Sequence, residues 1–207
     1  MIDLDATNQA LRDKTPGEII RWASELGKRT ITTTSFGPNS GGLLHLIAHN
    51  SNNIPVIWVD SGYNMRDTYV VAEQLISDLK LDTRVFVPEI TAERLNVIMG
   101  GIPTLEDPDL HQRFTEIVKL EPFTRALNQL QPEVWISGIR RDDTEFRKSL
   151  DILSYDKRGI LKVAPIFYWS DEDLDQYMEQ HEIPSCRHYF DPTKVESGRE
   201  CGLHTSA

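Results

Sequence analysis

Thr30-Ile31-Thr32-Thr33-Thr34-Ser35-Phe36-Gly37-Pro38-Asn39-Ser40 passes from a β-branched run into a turn, and Leu43, Leu44, Leu46 and Ile47 beyond it fall on one side of a helix. Branched side chains fit a pleated, packed surface, so residues 30–34 predict a buried strand. Upstream, Thr15-Pro16-Gly17-Glu18 carries a helix start: a capping threonine, a proline at the first helical position and a glutamate completing a capping box. That helix is expected to run to about residue 26 and stop at Gly27. Downstream, strands are predicted at 55–59, 83–87, 134–137 and 161–164, with helices at 65–80 and 121–130. A final helix, capped by Ser170, is predicted to reach about residue 180. Strands alternating with helices at these spacings predict an α/β fold: a mostly parallel, twisted sheet with helices on both faces. Residues 183–207 lack periodicity and contain Pro184, Pro192, Gly198 and Gly202. They are expected to form an irregular tail after an α/β domain spanning 1–182.

Composition narrows the function classes. The 207 residues carry a formal net charge of −10, which argues against a general nucleic-acid binder, since such proteins usually present a basic surface. A small anionic ligand is still admissible, because it needs only a local cluster of donors. No apolar run approaches the roughly 18–20 residues needed to span a bilayer, and no membrane association is expected. Met1-Ile2-Asp3-Leu4-Asp5 is acidic and lacks the basic-then-apolar order of a secretory signal, so the expected location is the cytoplasm. The two cysteines, Cys186 and Cys201, do not form a Cys-x-x-Cys pair and cannot supply the four thiolates of an ordinary iron–sulfur cluster.

Three segments hold groups able to do chemistry. Thr33-Thr34-Ser35-Phe36-Gly37 would lie at the carboxyl edge of the sheet, where hydroxyls and helix N-terminal N–H groups favour a phosphate. It lacks the Gly-Lys-Ser/Thr ending of a Walker loop. The second segment, Gly138-Ile139-Arg140-Arg141-Asp142-Asp143-Thr144-Glu145-Phe146-Arg147, also follows a strand. Its arginines can grip phosphates bidentately, although its own acids could instead neutralise them in a solvated loop. In the third, Glu200-Cys201-Gly202-Leu203-His204, a thiol near a basic group becomes a better nucleophile, and Gly202 leaves it accessible. An alternative stays open at this point. Cys186, His188, Cys201 and His204 offer two thiols and two imidazoles, a set that could hold zinc in a nucleotide-binding module.

Taken together, the segments resemble the phosphoadenylyl-sulfate reductases, the thioredoxin-linked branch of the sulfonucleotide reductases. Ser35-Phe36-Gly37 is similar to that family's modified pyrophosphatase (PP) loop, and Asp60-Ser61-Gly62-Tyr63 to its Asp-Thr-Gly-Tyr segment. Lys119-Leu120-Glu121-Pro122 with Arg125-Ala126-Leu127 resembles its Lys-Val-Glu-Pro…Arg-Ala-Leu helix start. Gly138-Ile139-Arg140-Arg141 resembles its Gly-Leu-Arg-Arg loop, and Glu200-Cys201-Gly202-Leu203-His204 its terminal signature. The resemblance implies an adenine nucleotide alpha hydrolase-like (PP-loop) fold with residues 183–207 as a catalytic tail.

It also implies an activity: reduction of 3′-phosphoadenylyl sulfate to sulfite and adenosine 3′,5′-bisphosphate, as in assimilatory sulfate reduction. Cys201 would be the catalytic nucleophile, forming a thiosulfonate that thioredoxin, or a glutaredoxin, resolves. Thr34, Ser35, Phe36, Gly37, Asp60, Lys119, Gly138, Arg140, Arg141, Arg147 and His204 would bind the substrate. No metal and no bound cofactor are implied, and relatives in the family are commonly homodimers, which is the sole support for a dimer here.

Two departures from the family pattern bear on these expectations. The adenylyl-sulfate branch carries adjacent cysteines where this chain has Phe114 and Thr115, so no iron–sulfur cluster is implied and the 3′-phosphorylated substrate is favoured. A cluster-free adenylyl-sulfate reductase is the alternative. The stretch from Ile183 to Arg199 is shorter than is usual in the family, and Cys186 has no counterpart there. It reads as a structural thiol, with a role in resolving the Cys201 intermediate as the other possibility.

Overall fold

The computed structural model describes residues 2–51, 54–186 and 188–194. β1 (Thr30–Thr34) is the threonine-rich run, and it lies between β2 (Val56–Val59) and β4 (Val134–Ile136) in a six-stranded sheet. β3 (Thr83–Phe86) forms one edge, while β6 (Leu161–Val163) and β5 (Leu153–Tyr155) complete the other side, giving the order β3-β2-β1-β4-β6-β5. The five strands predicted from sequence run parallel, with Thr32 opposite Val56 on one side and Ile136 on the other. β5, which the sequence pattern did not reveal, runs antiparallel to β6.

Alternation along each strand sorts the core into two layers, because successive side chains leave opposite faces. Val134 and Ile136 pack with Ile19, Ile20 and Ala23 of α2 (Pro16–Glu25) and with Leu43, Leu46 and Ile47 of α3 (Ser40–Asn50). Trp135, between them in sequence, faces the other way onto Phe123, Ala126 and Leu127 of α7 (Glu121–Leu130). β2 repeats the pattern: Val56 and Trp58 meet Leu75 of α4 (Arg66–Leu79), while Ile57 joins the α7 layer. The strands are therefore apolar on both faces, as a covered parallel sheet requires. Thr32 is fully buried, and its hydroxyl is satisfied by donating to the Ile136 carbonyl at 2.9 Å.

The helix starts follow the sequence signals. Thr15 and Glu18 close the expected capping box on α2, and Ser170 does the same with Asp173 on α8 (Asp171–Gln180). Several helical pieces among the described residues were not expected. α1 (Leu4–Leu11) places Asn8 against β5, where its side-chain amide donates to the Leu153 carbonyl at 3.2 Å and accepts the Leu153 N–H at 2.7 Å. α5 (Ala92–Met99) and α6 (Pro108–Thr115) follow β3, and a π-helical turn at Glu116–Leu120 joins α6 to α7. Pro122 marks a helix start in the sequence, yet the helical run begins well before it. Proline has no N–H to return to the preceding turn, and the run widens into the π turn just ahead of it. Among the described residues no helix is long and apolar enough to cross a membrane.

Candidate functional site

The sheet changes direction of travel between β1 and β4: the chain leaves β1 toward β2 and leaves β4 toward β6. At such a switch point the loops at the carboxyl ends part and leave a crevice. A cleft of about 350 Å³ opens there. The end of β1 and the β1–α3 loop supply Thr34, Ser35 and Gly37 to its wall, and the segment after β4 supplies Ser137, Gly138, Arg140 and Arg147. The loop after β1 is tightly held. Thr34 Oγ1 accepts the Phe36 N–H at 3.0 Å, and the Gly37 carbonyl accepts the Ser40 N–H at 3.0 Å. Phe36 sits at φ 50°, fully buried, its ring edge-on to Trp58 at 4.9 Å. An aromatic side chain in the left-handed region is uncommon, and here the packing of its ring under the loop holds it there.

Lys119, Arg140 and Arg147, which line the cleft, are each held by a carboxylate. The Arg140 side chain, 10% exposed, donates to Asp143 at 2.8 Å and to Asp171 at the start of α8 at 2.7 Å. Arg147 donates to the second oxygen of the same Asp143. Two guanidinium groups thus share one carboxylate at the cleft wall, which fixes their planes before any ligand arrives. The sequence offered two alternatives for this loop, phosphate binding or internal neutralisation. In the structure Arg140 and Arg147 line the cleft and are ion-paired as well.

Lys119 reaches the same cleft from the π turn. Its ammonium donates to Asp191 at 2.7 Å and to the Thr193 hydroxyl at 2.9 Å. Burial opposes ionisation of Asp191, but the charge and hydrogen bond of Lys119 outweigh it and hold the carboxyl below its ordinary value. Residues 188–194 therefore lie along the cleft. Tyr189 faces Gly37, where an added Cβ would come within 3.4 Å of the tyrosine ring. The Pro192 carbonyl accepts from the buried His111 ring of α6 at 3.2 Å.

Of the residues singled out from the sequence, Thr34, Ser35, Gly37, Lys119, Gly138, Arg140 and Arg147 come together at this cleft. Phe36, Asp60 and Arg141 do not line it. Asp60 accepts hydrogen bonds from the Gly62 N–H, the Asn64 amide and the Tyr69 hydroxyl at 2.9–3.0 Å, so it organises the loop after β2. Burial and the bond to Asp60 push the Tyr69 hydroxyl up to about 12. The Arg141 side chain is half exposed beside Asp142. Cys201 and His204 lie outside the described residues. Cys186 is buried, with its thiol directed to the Phe36 carbonyl at 3.4 Å, and burial raises it above the ordinary thiol value. Ser185 next to it donates to the Pro38 carbonyl at 2.9 Å, so this stretch braces the β1–α3 loop.

Sequence reasoning missed Asp143 as a shared anchor and missed Asp171, Tyr189, Asp191, Thr193 and Lys194 altogether. Asp143 lies four residues before Arg147, a spacing at which two side chains can meet. The pairing of Lys119 with Asp191 spans 72 residues, and no local signal announces it.

A Synechococcus protein named phosphoadenosine 5′-phosphosulfate reductase is 36% identical over 182 residues, covering 87% of this chain and 78% of that one. A protein of the same name from Proteus mirabilis is 35% identical, covering 87% and 74%. Among solved structures, phosphoadenylyl-sulfate reductase from Candida auris in a phosphate complex superposes with a TM-score of 0.77 at 22% identity, over 88% of this chain and 87% of that one. Candida glabrata FMN adenylyltransferase with FAD and pyrophosphate gives 0.59 at 13% identity, over 90% and 61%. These likenesses place the fold among the PP-loop proteins. Residues 29–192 match the phosphoadenosine phosphosulfate reductase domain family, and on this match and the identity to its members the chain belongs to that family.

Proposed function

We propose that the chain reduces 3′-phosphoadenylyl sulfate to sulfite and adenosine 3′,5′-bisphosphate, the reductive step of sulfate assimilation. The observation that carries this is the convergence of Lys119, Arg140 and Arg147 on one cleft at the switch point, beside the β1–α3 loop. A substrate with several anionic oxygens needs such a set of donors, and the leaving group is itself a phosphate anion. Donors fixed in place on its oxygens stabilise the charge that develops as the sulfur departs.

Residues 1–182 form the nucleotide domain in this reading, and residues 183–207 the tail that brings the thiol. Cys201 attacks the sulfonyl sulfur. The sulfur–oxygen bond to the nucleotide breaks, and the bisphosphate leaves with the electron pair. The enzyme then holds a thiosulfonate on Cys201. A reduced thioredoxin or glutaredoxin attacks the Cys201 sulfur, releases sulfite and forms a mixed disulfide, which its second thiol resolves. The electrons come from that partner, so the chain needs neither an iron–sulfur cluster nor a metal. His204 adds positive charge as the tail closes, and Ser35 and Gly37 face the phosphosulfate. The chain works in the cytoplasm as a homodimer. Cys186, buried beneath the β1–α3 loop, is structural in this reading.

The test is intact mass of the reduced protein mixed with the 3′-phosphorylated nucleotide and no thioredoxin. An adduct of about 80 Da on the wild type, absent from Cys201→Ser, is the expected result for a covalent sulfonate. The same adduct on Cys201→Ser would transfer the role to Cys186. An adduct with the unphosphorylated nucleotide at equal rate would make the chain a cluster-free adenylyl-sulfate reductase. No adduct with either nucleotide would leave a binding module, in which stoichiometric zinc would then be sought.

A further inference from the structure

Lys119, Arg140 and Arg147 all line the cleft, and each is already engaged by a carboxylate of this chain. The Lys119 pair differs from the other two. Its side chains are 13% and 11% exposed, and its carboxylate comes from residues 188–194. Arg140 and Arg147 share Asp143 from their own loop, and Arg140 also meets Asp171 of α8, so these pairs set the arginines without engaging residues 188–194.

Asp191 is built for its place. The N–H and hydroxyl of Thr193 donate to its Oδ1 at 3.0 and 2.6 Å, and Lys119 donates to its Oδ2 at 2.7 Å. The Thr193 hydroxyl also accepts from Lys119 at 2.9 Å. A carboxylate and a hydroxyl thus meet an ammonium at the edge of the cleft, which is the contact a phosphate or sulfate oxygen would make.

We propose that Asp191 is a built-in competitor at Lys119, an autoinhibitory carboxylate that an anionic nucleotide must displace to take the ammonium. This rests on the function proposed above. The exchange keeps the enclosed ammonium paired both before and after binding, which avoids the cost of a buried, unpaired charge. It also links occupancy of the cleft to the hold on residues 188–194. Once Lys119 turns to the substrate, that segment keeps its His111 contact but loses its ion pair. When product leaves, the carboxylate returns and helps expel it.

The test is the affinity for adenosine 3′,5′-bisphosphate, which needs no sulfur chemistry, measured by calorimetry on the full chain. Asp191→Asn keeps the shape and removes the charge. It is expected to bind the bisphosphate at least about fivefold more tightly, because a charge opposing the ligand is gone from a half-screened site. Asp191→Glu restores the charge and should bind within about twofold of wild type, since only reach changes. An Asn variant that melts like the wild type and binds no tighter, or more weakly, overturns the proposal. Should that variant fail to fold, Thr193→Val, which removes the prop behind the carboxylate, must also bind more tightly; unchanged or weaker binding by it overturns the proposal. The two readings fail differently. A wild type that forms the Cys201 adduct beside an unaltered Asn variant sinks the competitor alone. A wild type that neither binds the bisphosphate nor forms the adduct sinks both.

Discussion

Asn8 shows how much one side chain can carry. It gives a hydrogen bond to the Leu153 carbonyl and takes one from the Leu153 N–H, and it is buried while doing so. Asn8→Ala leaves two backbone groups without a partner. It should lower unfolding free energy by about 2 kcal/mol or more, read from the denaturant midpoint. The site residues make a different point. Arg140 and Arg147 were visible in the sequence because arginines after a strand are suited to anions. Asp143 was visible only as a nearby acid, and geometry alone shows it joining the two arginines. Asp143→Ala should raise KM for the nucleotide by about tenfold and lower the melting temperature, because it frees two enclosed guanidinium groups from their shared carboxylate. An unaltered KM would mean that the arginines hold their positions without it. Asp60 has a structural use that its motif does not announce: its Oδ1 accepts from Gly62, Asn64 and Tyr69 and organises the loop after β2.

At the scale of elements, legibility followed the strength of the local signal. β1 was plain because five β-branched residues in a row favour a strand, and α2 and α8 were plain because their caps are written in the chain. Thr15→Ala should cost about 1 kcal/mol, seen as a lower melting temperature, by opening the box with Glu18. β5 was not legible. It has three residues, and what makes it a strand is pairing with β6 on one side and Asn8 on the other. α5, α6 and the π turn were hidden for a related reason. They are short, and their apolar residues pack on one another in a small separate cluster around Leu95, Phe114 and Val118. The packing of α3 on α8 is tighter than any sequence pattern conveys. A Cβ on Gly42 would fall 2.5 Å from Leu174, so Gly42→Ala should destabilise by about 1–3 kcal/mol despite the better helix propensity of alanine.

At the scale of the whole molecule, the contact of α3 with α8 is one point where pH acts. The rings of His45, His49 and His181 stack at 4.0 and 4.7 Å, and Tyr177 meets His45 Nδ1 at 2.7 Å. Burial first, and then the neighbouring histidines, pull His45 down to about 4. In the unfolded chain the same imidazole titrates near 6.5. Between those values the unfolded state binds the extra proton, so stability rises with pH through the window and is lost as pH falls through it. Wild type should therefore lose stability between pH 6.5 and 4, roughly the interval separating the two values, and His45→Gln should lose less of it. Equal losses in both would remove His45 as the cause.

The two margins of the sheet are unlike. On the β5 side a three-residue strand meets Asn8, while on the β3 side Val85 and Val87 are half exposed and no further strand pairs with β3 among the described residues. An unpaired margin is where a sheet can be extended by another chain. With β3 unpaired among the described residues, union of two copies through it would occupy that margin on both at once. An isologous contact of that kind is closed, because each copy presents the same margin to the other.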